Sequence, residues 1–196
     1  MFSPKSIYFY LIACHITLVK FFKKIYFSSK NYNKSLESIT PKQIYYNPNP
    51  FLLSIIAPPN DQTFKISDID PNVFWFENKK KDTDQMHNFF WLNLLDRKTD
   101  NKKLKNIIYI WMIKNSKYKR KIWETSTVSA RIISWILNTD IILNNSTFEF
   151  KKNFLDCIIT QTNHLKKNIK FEKNLSKKIE ILTAIILTGL VFKEYE

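Results

Sequence analysis

Gly189 is the only glycine among 196 residues, and this scarcity constrains the chain more than any other feature. Glycine lets backbone amides close around a phosphate and takes the positive φ of tight hairpins. A phosphate-binding loop or a dinucleotide fingerprint needs several glycines, so both are excluded. Hairpin-rich β architectures are disfavoured for the same reason. Long segments with apolar residues at helical spacing dominate instead, and the expected class is all-α. Hydrophobic residues make up 44% of the sequence and aromatics 15%, enough to fill a core, which argues against wholesale disorder. The length suits one domain or part of a larger one.

Lysine and arginine total 31 against 17 aspartates and glutamates, a formal net charge of +14. Such a surplus points either to a polyanionic partner or to a composition simply rich in Lys, Asn, Ile and Phe. The lysines are spread along the chain, which favours composition. The runs that stand out, Lys79-Lys80-Lys81 and Lys102-Lys103, read as solvated faces or loops. No recognisable nucleic-acid motif is present, so nucleic acid is not an expected partner. Cys14 and Cys157 lie far apart in apolar runs and read as small buried hydrophobes rather than a disulfide or metal pair. No His, Cys and carboxylate set has metal-ligand spacing, so no metal or cofactor is expected.

Three regions follow along the chain. Residues 1–38 hold an N-terminal helix over 6–28. Its apolar stretch, 7–19, is preceded by Lys5 and followed by Lys20, Lys23 and Lys24. It is shorter than the roughly 20 residues that span a bilayer, and no small-residue cleavage site follows. An amphipathic or buried helix is expected, with a membrane-surface helix as the alternative. Residues 39–82 form a Pro-rich irregular lead-in (Pro41, Pro48, Pro50, Pro58, Pro59), with weak alternation from Phe64 to Phe76 that fits short strands or a draped segment.

Residues 83–196 are helical by period. Thr83-Asp84 caps a helix with Met86, Phe89, Phe90, Leu94 and Leu95 on one face. Asp100 caps the next, with Leu104, Ile107, Ile108, Trp111 and Met112. Further helices are expected over 125–143, 148–169 and 177–192. The last is apolar nearly all round, through Ile181, Leu182, Ala184, Ile185, Ile186, Leu187, Leu190 and Val191. Such a helix needs cover on most sides, so the expectation is a fragment or a chain covered by a partner.

Residues 85–95 read Gln-Met-His-Asn-Phe-Phe-Trp-Leu-Asn-Leu-Leu, and residues 121–135 read Lys-Ile-Trp-Glu-Thr-Ser-Thr-Val-Ser-Ala-Arg-Ile-Ile-Ser-Trp. With one helix between them, they resemble the N-terminal part of the heparinase II/III-like polysaccharide lyases. Met86, His87, Phe89, Trp91 and Leu92 match the family's first Trp motif. Trp123, Arg131, Ile132 and Trp135 match the second. Gln161, Thr162, His164, Leu165 and the stretch 184–190 fit the family's next two helices. The resemblance covers residues 45–196. It implies an incomplete α/α toroid of antiparallel helix pairs, with the C-terminal remainder and the family's β-sheet domain absent.

The resemblance also implies a chemistry. Such lyases cleave uronic-acid-containing polysaccharides by β-elimination, which needs a neutralised carboxylate, a base and an acid. The family's principal Asn, Tyr and His lie downstream of the matched region, so this chain carries no catalytic residues of its own and is expected to be inactive alone. What it contributes is groove lining. Trp91, Trp123 and Trp135 offer stacking faces for sugar rings. Arg131 suits a carboxylate, with Glu124 placed to pair with it, and His87 is within the first motif. Each has a structural reading as well: Trp135 as core, Arg131 in an ion pair with Glu124 or Asp140, His87 as a hydrogen-bonding helix-start residue. The expected partners are an acidic polysaccharide and a downstream-encoded chain that completes the toroid. The competing reading is a basic helical membrane-surface or assembly module. The resemblance implies a periplasmic or cell-envelope location, although no clear signal peptide is visible.

Overall fold

The computed structural model of the protein describes residues 3–42, 44, 75, 86–95 and 101–195. It is mostly helical, and no strand occurs among the described residues. The Pro-rich stretch from Gln43 to Phe74, with its proposed strands, lies outside them apart from Ile44, as do Lys79-Lys80-Lys81 and the proposed caps Thr83, Asp84 and Asp100. The chain divides into two compact units, Met1–Ser35 and Leu36–Glu196.

In the first unit, α1 runs over Pro4–Ser28. Ser3 caps it by accepting a hydrogen bond from the Ser6 amide, and Pro4 occupies the first turn, where its missing donor costs nothing. Ser29 ends α1 in extended backbone and its hydroxyl accepts from the Tyr32 amide at 3.1 Å, starting α2, Lys30–Lys34. The Tyr32 ring is buried against Tyr26 and Phe27, with centroids 5.1 and 4.7 Å away. α1 is not the buried helix that was one expectation. Ile7, Tyr8, Phe9 and Tyr10 are each more than half exposed, and four consecutive residues at about 100° apart surround the helix axis. Cys14 is likewise exposed rather than buried.

The second unit contains α3 (Asn101–Asn115), α4 (Thr125–Leu137), α5 (Thr139–Leu143), α6 (Phe148–Asn168) and α7 (Leu175–Val191). α4 packs against α7, α6 and a 3-10 turn over Phe90–Leu94, and so lies at the centre of this unit. The apolar face expected of α3 is the buried one: Leu104, Ile107, Ile108, Trp111 and Met112 are all enclosed. α6 buries Phe154, Leu155, Ile158, Ile159, Thr162 and Leu165 in the same way. Residues 36–42 are strapped to this core. Asn163 donates to Leu36 O and Ser38 Oγ, each at 2.8 Å, the Tyr195 hydroxyl donates to Ile39 O, and Thr40 donates to the Asp156 carboxylate.

Two expected helices are broken. The first stops at Phe89, which sits at φ 59°. A left-handed phenylalanine costs about 1–3 kcal/mol, and here the turn drives its ring, fully buried, among Trp75, Trp91, Trp111 and Trp135. Asn88 Oδ1 accepts from the Phe90 amide at 2.8 Å and fixes the turn. The second, over 125–143, divides at Asn138. Its side-chain amide donates to Ser134 O and to Asn93 Oδ1, both at 2.7 Å, joining the break to the 3-10 turn. Asn145, at φ 51°, makes the other left-handed position among the described residues, where asparagine substitutes for glycine at small cost.

α7 is covered on one side. Ile181, Ala184, Thr188 and Val191 face the core. Leu175, Ile179, Leu182, Ile186 and Leu190 are exposed. At about 100° per residue the two sets lie on opposite sides of the helix. Substitutions should separate them when unfolding is followed by tryptophan fluorescence, since all five tryptophans lie beyond Leu36. Ile132→Ala in α4 is expected to cost about 2–5 kcal/mol, and Ile186→Ser to stay within about 0.5 kcal/mol.

Candidate functional site

Arg131 is the point on which the predicted residues converge. It lies in α4 with no exposed surface. Its Nε donates to Gln161 Oε1 at 2.6 Å, Nη1 to His87 O at 2.7 Å and Nη2 to Ile122 O at 3.1 Å. The guanidinium also stands over the Trp111 ring, 4.4 Å from its centroid, where the negative ring face attracts a cation. The Gln161 amide is held in register because its Nε2 donates to Cys157 O. Burial lowers the Arg131 pKa to about 9, which leaves it charged at neutral pH. A buried cation is costly unless its donors are used, and here the acceptors come from three separate stretches of chain.

The Trp111 ring under this cation belongs to an aromatic cluster. Phe89 makes edge contacts with Trp111 and Trp135 at 5.4 and 5.1 Å, and Trp135 continues to Phe154 at 5.0 Å. His87 is half-buried. It stacks on Trp75 at 5.5 Å, and its Nδ1 accepts from Trp111 Nε1 at 2.9 Å. Burial first, then Arg131 and Lys119, lower the His87 pKa to about 4. The ring is therefore neutral at pH 7. With Nδ1 accepting, its proton sits on Nε2, and His87 offers a donor rather than a base.

The predicted residues thus fall into two groups. His87, Trp91, Arg131 and Trp135 belong to one cluster around Phe89 and Trp111. Trp123 belongs to another, with Tyr118 and His164 at 6.2 and 5.4 Å, and its Nε1 donates to Asn115 O. Trp123, Arg131 and Trp135 are closed off from solvent and Trp91 nearly so, so in this conformation their faces meet protein rather than sugar rings. The Glu124–Arg131 pair does not form: Glu124 bonds Lys177 at 3.1 Å, near the start of α7, while Arg131 turns inward to neutral oxygens. Cys157 is buried, and burial raises its thiol to about 11, so it is no nucleophile at neutral pH. Among the described residues no group of His, Cys, Asp and Glu could hold a metal ion.

The exposed chemistry lies beside the cluster. The loop between α3 and α4 carries Lys117, Lys119, Arg120 and Lys121, all exposed. Four cations in five positions make a larger cluster than the lysine pair or triplet. Its signal lay open in the sequence but was interrupted by Tyr118. Lys119 is near enough to His87 to act on its titration. Two surface grooves, of about 390 and 270 Å³, open elsewhere, one against Phe148 and Leu155 and one against Tyr109 and Asp156, and include none of the six predicted residues.

No family model matches this chain, and comparison with curated proteins and with solved structures likewise yields no match.

Two outcomes follow for the cluster. Arg131→Ala strands buried acceptors at His87, Ile122 and Gln161, and is expected to cost about 3–5 kcal/mol in denaturant unfolding; Arg131→Lys, with fewer donors, should recover only part. Because His87 has a lower pKa folded than unfolded, the unfolded chain takes up its proton first. Stability should be full above about pH 6.5 and fall as pH drops toward 4. His87→Gln should flatten that slope in unfolding measured across this range.

Proposed function

We propose that this chain is the helical, polymer-holding part of a heparinase II/III-like lyase, in which α3 to α7 belong to an incomplete α/α toroid. It binds an acidic polysaccharide through the loop between α3 and α4, and it does not turn the polymer over alone. The observation that carries this reading is the exposed set Lys117, Lys119, Arg120 and Lys121 beside the neutral donor His87. Cations clustered on one loop neutralise successive charges of a polyanion and release its counterions. Arg120 adds a fork that suits carboxylate or sulfate. In support, Arg131 joins the two Trp motifs in space by its 2.7 Å bond to His87 O. The interior members of those motifs then support the groove wall, and the loop and His87 meet the substrate.

A second reading, an assembly module completed by a partner chain, is favoured by the exposed stripe Leu182, Ile186 and Leu190 on α7. Light scattering of the purified protein separates it: self-association lost in Ile186→Lys supports the second reading.

The binding reading is tested by titrating the full chain with heparin and with alginate over a range of salt. Binding should weaken steeply with salt. The triple variant Lys119→Ala/Arg120→Ala/Lys121→Ala should reduce the log–log salt slope by about 2–3, close to one per lost contact. Absorbance of the unsaturated uronate product should not rise. Equal binding by the triple variant, or tighter binding to duplex DNA than to either polysaccharide, would contradict the reading.

A further inference from the structure

Between Ile7 and Val19, α1 is apolar except for His15 and Thr17, and large apolar side chains are exposed all round it. An 18-residue window within Lys5–Ser28 has a mean hydropathy of 1.3, and none of it is buried. Leaving Phe9, Leu11, Phe22 and the other large side chains of this helix in water is unfavourable relative to an apolar setting. A helix that lies flat on a membrane needs a polar face. Between Ile7 and Val19 only His15 and Thr17 interrupt the apolar surface, since Ile7, Tyr8, Phe9 and Tyr10 circle the axis and Leu11, Ile12, Ile16 and Leu18 repeat the coverage.

Length and charge agree. α1 has 25 residues, about 37 Å at ~1.5 Å per residue, against a hydrocarbon core of about 30 Å. One lysine, Lys5, precedes the apolar stretch, whereas Lys20, Lys23, Lys24, Lys30 and Lys34 follow. Lys23 places its ammonium 5.4 Å from the Phe27 ring centroid, so its side chain reaches toward the C-terminal end of the helix, as a snorkelling lysine does. Tyr8 and Tyr10 stand near one end and Tyr26 near the other, where amphipathic rings favour the headgroup layer. Inside the stretch, Thr17 donates its hydroxyl proton to Ala13 O at 2.8 Å, so that group needs no water.

We propose that α1 inserts across a lipid bilayer, with its 18-residue apolar window, about 27 Å at ~1.5 Å per residue, in the hydrocarbon and the lysine-bearing end among anionic headgroups. The lysine bias places that end on the cytoplasmic side, and the chain beyond α1 continues from there.

The native cysteines make this testable in the full chain, because Cys14 lies near the middle of α1 and exposed while Cys157 is buried. The protein is mixed with vesicles of phosphatidylcholine and phosphatidylglycerol, floated, extracted with alkaline carbonate and treated with a membrane-impermeant maleimide. The expected result is flotation, retention through carbonate and loss of Cys14 labelling. Leu11→Glu/Leu18→Glu should abolish all three while leaving tryptophan fluorescence, which reports only the second unit, unchanged. The proposal is overturned if the chain stays soluble. It is overturned equally if carbonate releases it with Cys14 labelled, which marks a surface-bound helix. Cleavage after α1 in cells, with the remainder soluble, would also overturn it and mark a removed leader.

Discussion

A buried guanidinium organises the second unit. Arg131 sits at 0% exposure and spends its donors on Gln161, His87 and Ile122. These acceptors belong to α6, to the segment before the 3-10 turn, and to the loop that leads into α4. No apolar residue could tie those three together, since each presents a polar oxygen that would otherwise be stranded. The Trp111 face beneath the cation brings α3 into the same arrangement. The left-handed Phe89 and the break at Asn138 are local costs that this arrangement sustains. The first places a ring in the tryptophan cluster, and the second joins α4 to Asn93.

Helical period carried much of this fold in the sequence. The i, i+3, i+4, i+7 positions of α3 and α6 are the buried ones, and both helices begin within a residue of where their patterns start. What periodicity does not contain is a change of backbone hand. Nothing in the order Asn-Phe-Phe-Trp says that Phe89 adopts positive φ, because the stabilising contacts come from Trp111 and Trp135, far along the chain. The Glu124–Lys177 pair was hidden for a similar reason: 53 residues separate the partners, whereas Arg131 stood seven positions away and invited pairing. α7 is apolar on two opposite sides, but only the side bearing Ile181 and Ala184 meets the core.

The predicted site residues were legible as a set but not as a surface. His87, Trp91, Arg131 and Trp135 do come together, and most of them do so in the interior. A tryptophan or arginine in a motif looks the same whether it supports a wall or lines a groove, and burial makes the difference. An exposed cluster of cations falls instead on the loop at 117–121, and a second group of lysines follows the apolar stretch of α1 in sequence. These two basic features suit different partners, a polyanion and an anionic lipid layer. They also make opposing demands on location. Under the proposed function the second unit would lie outside the cell, whereas under the proposed insertion the lysine bias of α1 would keep it inside. The sidedness of the second unit therefore bears on both.

The central claim is that Arg131 is an interior cation, bonded through each of its three nitrogens, that holds the second unit together. The chain has three arginines, Arg97, Arg120 and Arg131, so side-chain guanidinium signals in heteronuclear NMR are few enough to assign by substitution. Arg131 is expected to give an Nε–H signal that exchanges slowly with solvent and shows through-space contacts to the Gln161 amide and the Trp111 ring, while the exposed Arg120 exchanges fast. Rapid solvent exchange at Arg131 Nε–H, equal to that of Arg120, would contradict the account.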